Sequence, residues 1–215
     1  MRAVTRCELV PWGRMLRLVR RLALQIRAAG FQPDLIVAIA RGGYVPARVL
    51  ADYLGVMDVT SFRIEHYLRG ARQQPAARVR HPLARKVDRL RVLVVDDVGD
   101  TGDTFVAAMR HLRTRGKPAA IRTAVLHYKA GCRYRPDFCA REVQTWHWIT
   151  YPWAVIEDVT GFIERMKQRP ATVRGIRARL ARDFGMRVPA STVADALRFM
   201  SPVATSRTRR QRRAR

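Results

Sequence analysis

The chain has 215 residues, 48% hydrophobic and 27% charged, which excludes a low-complexity or disordered protein. Lys and Arg number 42 against 17 Asp and Glu, a net charge of +25 that calls for an anionic partner: nucleic acid, a membrane surface or a phosphorylated substrate. Three cysteines (Cys7, Cys132, Cys139) without a CxxC pair argue against a disulfide scaffold. No apolar run approaches the roughly 18 residues that span a bilayer, so a soluble, cytoplasmic protein without membrane contact is expected.

In chain order, Met15, Leu18, Val19, Leu22 and Ile26 follow helical spacing, and Gly30 ends that helix. Leu35–Ile39 is a short apolar run that reads as a buried strand, broken by Ala40-Arg41-Gly42-Gly43. Val45–Leu54 reads as a helix and Val56–Phe62 as a strand. Arg63–Arg91 holds nine basic and two acidic residues without periodicity and is expected to be a long loop. Val92–Val95 is a second strand, ending in Asp96-Asp97. A turn follows through Gly99 and Gly102, then a helix to about Arg113, stopped by Gly116 and Pro118, then a strand over Ile121–Tyr128. Such alternation predicts an α/β fold with an open, mostly parallel sheet.

After Ile156 the pattern becomes helical. Val159, Phe162, Ile163 and Met166 suit one helix. Val173, Ile176, Leu180 and Phe184 suit a second, with Thr172 as N-cap and Gly185 as its end. Ser191 is the expected cap of a third. We read residues 1–160 as the α/β domain, 161–202 as a small C-terminal helical extension and 203–215 as a basic, disordered tail. From Ala171 to Arg215 there are twelve Arg and two acids, a net of +10. The segment Ile176–Met200 has some helix-turn-helix character, so nucleic acid is one candidate partner of the basic end; a packing or dimer-supporting extension is the other.

The richest segment is Val92–Thr104, VLVVDDVGDTGDT. A buried strand delivers two adjacent carboxylates, then a glycine turn, then a helix N-terminus. That chemistry suits a sugar phosphate: free backbone N–H groups and the helix dipole hold a phosphate, and carboxylates accept from ribose hydroxyls. The segment resembles the signature of the type I phosphoribosyltransferases. Asp34–Ala51, DLIVAIARGGYVPARVLA, resembles the same family's pyrophosphate loop, which often carries a non-proline cis peptide; by position that bond is Ala40–Arg41. His147–Trp153, HWITYPW, resembles the W-I-x-x-P-W segment of the xanthine-guanine/hypoxanthine purine branch. The resemblance covers about residues 5 to 160.

What the resemblance implies is specific. The donor would be 5-phosphoribosyl 1-pyrophosphate with Mg²⁺, and the acceptor a purine base (xanthine, guanine or hypoxanthine), in purine salvage. Arg41, Gly42, Gly43, Asp96, Asp97, Asp100, Thr101, Gly102, Asp103 and Thr104 would hold the donor, with Asp97 reaching the metal directly or through water or substrate. The Asp103 side chain would have to point away from the phosphate. Asp100 would be the general base. Trp148 would stack on the base, the backbone of Ile149 would meet it, and Lys129 would donate to its 6-oxo group. The basic loop would be the family's mobile hood, with Tyr67 in it, and the protein would be a homodimer. The pattern departs from the family at Ala154, where an acid is usual; Glu157 and Asp158 are the nearest acids that could stand in. Two other readings stay open: a regulator of this fold that senses the donor and binds nucleic acid through its basic C-terminus, and a transferase with a non-purine acceptor.

Overall fold

The computed structural model describes residues 6–68 and 72–200, except the side chains of 66–68 and 72–75. The expectation for the tail at 203–215 therefore lies outside the described residues, and of Tyr67, expected in the hood, the backbone alone is described. In chain order the elements are β1 (Cys7–Leu9), α1 (Trp12–Ala28), β2 (Leu35–Ala40), α2 (Tyr44–Leu54), β3 (Val59–Leu68) and β4 (Arg72–His81). Next come β5 (Arg91–Gly99), α3 (Asp103–Arg113), β6 (Ala120–Lys129), β7 (Phe138–Val143) and β8 (Trp148–Thr150). A 3-10 turn at Pro152–Ala154 leads into α4 (Val155–Glu164), and α5 (Val173–Phe184) and α6 (Ala190–Phe199) follow.

Six strands form an open sheet in the order β4-β3-β2-β5-β6-β7, parallel throughout except for the edge pair β3–β4. The central strands are unbroken apolar runs because both faces are covered, and all six residues of β2 are buried. Successive side chains divide between two cores. Ile36, Ala38, Leu93 and Val95 pack with the buried faces of α1 and α2, while Leu35, Val37, Ile39, Val92 and Val94 pack with Phe105, Ala108 and Leu112 of α3. The fold is thus the α/β architecture with an open, mostly parallel sheet that the sequence pattern predicts.

A third core joins Val159, Phe162 and Ile163 of α4 to Ile176 and Leu180 of α5 and Val193 and Ala196 of α6. Because α4 crosses residue 160, the last helix against the site is also the first of this cluster. Thr172 caps α5 as expected, accepting from the Gly175 N–H at 3.1 Å, and Gly185 ends it in the left-handed conformation at φ 68°. Ser191 does not cap α6: the helix starts at Ala190 behind Pro189, without a side-chain cap. Among the described residues no helix is long and apolar enough to cross a membrane.

The largest departure from the sequence reading is Arg63–Arg91. Much of it is an antiparallel hairpin, β3 with β4, and the strand before it starts at Val59 rather than Val56. The reason is physical. β4 is the sheet edge, RQQPAARVRH, and its register slips twice against β3, so no apolar alternation marks it. Its partly buried residues Ala77 and Val79 give it a weak hold on the core under α3. Short strands β1, β7 and β8 also escaped the periodicity; β1 and β8 pair in parallel as a separate two-stranded sheet.

Candidate functional site

Strands β2 and β5 are neighbours in register, Leu35 beside Val92 and Ala38 beside Val95. From β2 the chain crosses to β3 on one side, and from β5 to β6 on the other. Sheet order therefore reverses between them, and a crevice opens beyond their carboxyl ends. Both glycine turns lie there. The cleft has a volume of about 670 Å³.

On the β2 side, the Ala40–Arg41 peptide is cis, as the sequence pattern suggests. Gly42 and Gly43 are required by close approach. A Cβ on Gly42 would lie 2.6 Å from the Asp97 carboxylate, and one on Gly43 would lie 2.3 Å from the carbonyl oxygen of Val95. Arg41 and Gly42 line the cleft, whereas Gly43 is tucked against the β2 and β5 backbones behind it.

On the β5 side the strand runs through both acids to Gly99, so Asp96 and Asp97 are strand residues. Asp96 is buried and accepts from the Asp97 N–H at 2.9 Å. Burial raises both carboxyls above the usual range, and the Asp97 charge pushes Asp96 further up. Thr101, Gly102 and Thr104 line the cleft at the start of α3; Gly102 holds φ 93°. Asp103 does not line it. Its carboxylate is taken by Arg133 and by the Thr101 hydroxyl at 3.0 Å, so it is turned away as the motif requires.

The opposite wall comes from distant segments. Lys129, at the end of β6, is buried with its Nζ 3.2 Å from Asp100 Oδ2 and 4.5 Å from the Trp146 ring centroid. Burial lowers the Lys129 pKa, while the Asp100 charge opposes the shift. The Trp146 indole N–H donates to Asp100 Oδ1 at 3.0 Å. Trp148 and Ile149, on β8, line the cleft with Tyr151, Trp153 and Ala154. Tyr151 donates its hydroxyl hydrogen to the Asp97 carbonyl at 2.7 Å and lies 2.7 Å from His127 Nδ1. Its ring stacks on Trp153 at 4.9 Å. His127 is fully buried, and burial lowers its pKa to about 4.

Helix α4 supplies two more acids to the cleft. Glu157 pairs with Arg41 across it. Asp158 is 4% exposed and accepts from the Trp148 indole N–H at 2.8 Å and the Thr150 hydroxyl at 2.7 Å. Burial pushes Asp158 up to about 6 against the pull of those two hydrogen bonds. From the hairpin, Arg63 and Glu65 close one side.

The sequence-predicted residues thus gather around one cleft, apart from Gly43 and Asp103, which do not line it. Sequence reasoning assigned no role to Trp146, Tyr151 or the hairpin pair. Only the aromatic density of residues 146–153 could have pointed to the first two. The donor set has the chemistry of a hard divalent cation. The two adjacent carboxyls of Asp96 and Asp97 line the cleft and offer the oxygen ligands that such an ion takes. Among the described residues no group of three or more His, Cys, Asp or Glu could hold a metal ion.

Residues 6–158 match the model of the phosphoribosyl transferase domain. Over 150 residues the chain is 31% identical to the xanthine-guanine phosphoribosyltransferase of Cereibacter sphaeroides, covering 67% of this chain and 84% of that one. The purine phosphoribosyltransferase of Pyrococcus horikoshii superposes with a TM-score of 0.58 at 29% identity, covering 68% of this chain and 93% of that chain. A Neisseria gonorrhoeae protein solved with bound ppGpp superposes with a TM-score of 0.61 at 25% identity, covering 74% and 94%.

Proposed function

The chain belongs to the phosphoribosyl transferase domain family, and from that premise we propose that it transfers the 5-phosphoribosyl group of phosphoribosyl pyrophosphate to a 6-oxopurine base. One observation carries the reading: two glycine turns and an acid pair at adjacent strand ends face a Lys and a Trp across one cleft.

The donor's pyrophosphate would lie on the backbone amides after β2, beside Arg41. Its 5′-phosphate would lie at Thr101–Thr104, where the first N–H groups of α3 have no intrahelical partner. Asp96 and Asp97 would accept from the ribose hydroxyls. Asp97, with donor oxygens and water, would hold Mg²⁺, which supplies charge neutralisation for the pyrophosphate. The base would stack on Trp148 against the Ile149 backbone, with Lys129 donating to its 6-oxo group. A ring nitrogen then attacks the anomeric carbon, the bond to pyrophosphate breaks with its electron pair, and Asp100 takes the ring proton. Lys129 is held by Asp100 beforehand, so entry of the base has to divide that pair. The basic hairpin beside the cleft would exclude water from the cationic centre.

The test is an assay with labelled donor, Mg²⁺ and a panel of bases. Pyrophosphate release with a 6-oxopurine supports the reading; none with any base overturns it, and release with a non-purine acceptor alone reassigns the acceptor. A homodimer in the cytoplasm is part of the proposal and is checked by sedimentation of the purified chain. The Neisseria neighbour, solved with bound ppGpp, supports a second reading in which this chain also binds that nucleotide. Competition of ppGpp against donor in the same assay tests it. Salt-dependent DNA binding that vanishes on removing 171–215 would favour the regulator instead.

A further inference from the structure

The family's acid is missing at Ala154, yet the wall where it would stand is not without a carboxylate. Ala154 precedes α4, and Asp158 lies four residues on, one helical turn along the same face. Both line the cleft. Asp158 is 4% exposed and takes two hydrogen bonds, from the Trp148 indole N–H and the Thr150 hydroxyl. Thr150 is fully buried, and Trp148 also packs against the apolar cluster of α4, α5 and α6.

An indole wedged against apolar side chains still has freedom to swing about its χ angles. A hydrogen bond from its single N–H to a fixed, ionised acceptor removes that freedom. The carboxylate itself is fixed by the second donor, Thr150. We propose that Asp158 is a positioning residue that locks the plane of the Trp148 ring. This rests on the reading of Trp148 as the base-stacking residue. Asp158 acts on the base through the ring and not by touching it.

The test uses the full chain with four variants: Asp158→Ala, Asp158→Asn, Trp148→Phe and the double Asp158→Ala/Trp148→Phe. Asp158→Ala should raise the KM for the base about tenfold, the scale of one hydrogen bond to a charged group, with kcat and donor KM within about twofold. Asp158→Asn keeps an acceptor oxygen and should restore the base KM to near wild type. Trp148→Phe removes the ring's N–H, so Asp158→Ala should add nothing in that background. An equal rise in both backgrounds, an unchanged base KM in Asp158→Ala, or a loss confined to kcat would overturn the proposal. A second readout is independent of activity. In ¹⁵N-labelled protein the Trp148 indole N–H should be protected from exchange in the wild type and Asp158→Asn, and exposed in Asp158→Ala. If the wild type turns over no base, the function reading fails; the proposal then stands or falls on that protection alone. Should Asp158→Ala not fold, Asp158→Asn together with Thr150→Val gives the same comparison: loss of protection in Thr150→Val supports fixation of the carboxylate, and full protection in it overturns that part.

Discussion

The two walls of the cleft are built in different ways. The wall proposed for the donor is two continuous stretches, 40–43 and 96–104, each a strand end, a turn and a helix start. Much of its work falls to backbone groups, and its glycines are fixed by contacts with strand neighbours. The wall proposed for the acceptor is assembled: Lys129 from β6, Trp148 from β8, Glu157 and Asp158 from α4, with Trp146 hydrogen-bonded to Asp100 from a loop. Its work falls to side chains holding side chains. A backbone wall tolerates little local change, whereas a side-chain wall depends on chains of contacts such as Thr150 and Trp148 to Asp158.

The sharpest way to break that contrast is at Asp100, which sits in the donor turn but is held by Lys129 and Trp146 of the other wall. Asp100→Asn should cut kcat by about 10²–10⁴-fold with little change in donor KM, measured by pyrophosphate release. Full activity would remove Asp100 from the role of base.

Gly43→Ala probes the backbone wall alone. Its Cβ would meet the Val95 carbonyl oxygen at 2.3 Å, and backbone cannot step aside. A loss of about 3 kcal/mol in urea unfolding is expected. Gly42→Ala meets the Asp97 side chain instead, so it should weaken donor binding more than stability.

Glu8 probes the base of the acceptor wall. Burial alone would raise its pKa, but hydrogen bonds from Arg141 and His147 and the charge of Arg14 outweigh it and hold Glu8 near about 2. The folded pKa is depressed, so the stabilisation is present above the ordinary value of 4.5 and is lost as pH falls toward 2. Glu8→Gln should cost about 2 kcal/mol at pH 7, and the gap from wild type should close as pH falls through that window. A gap independent of pH would show that packing, not charge, is what Glu8 provides.

The smallest effect is expected at Glu157. Its partner Arg41 is largely exposed, and such pairs are worth about 0.2–1 kcal/mol. Glu157→Gln should free Arg41 for pyrophosphate and tighten donor binding by no more than about fivefold, read by calorimetry. Weaker donor binding would mean that the pair holds the loop in its working form.

The same contrast explains what the sequence disclosed. The donor wall was legible because strand, turn and helix start follow one another within a dozen residues, and each needs a recognisable residue type. Asp96, Asp97 and the three glycines stand where the pattern puts them. Trp148 and Lys129 were legible only through resemblance. Tyr151 was not, since its hydroxyl reaches Asp97 by way of the fold and no spacing records that contact. The hairpin was hidden because an edge strand of Arg, Gln and Ala buries too little to impose alternation. The small sheet was hidden because three residues are too few to show a period.

That small sheet bears on how the molecule comes into being. Cys7 pairs with Trp148 and Leu9 with Thr150, contacts across almost the whole α/β unit. On a ribosome that emits the chain from its N-terminus, β1 must wait unpaired until β8 emerges, while the turns after β2 and β5 need only the segments up to about Tyr134. Contacts of such long span are slow to close. The two glycine turns are therefore expected to form before the aromatic wall, and on the proposed reading competence to grip a base would mark the completion of the fold.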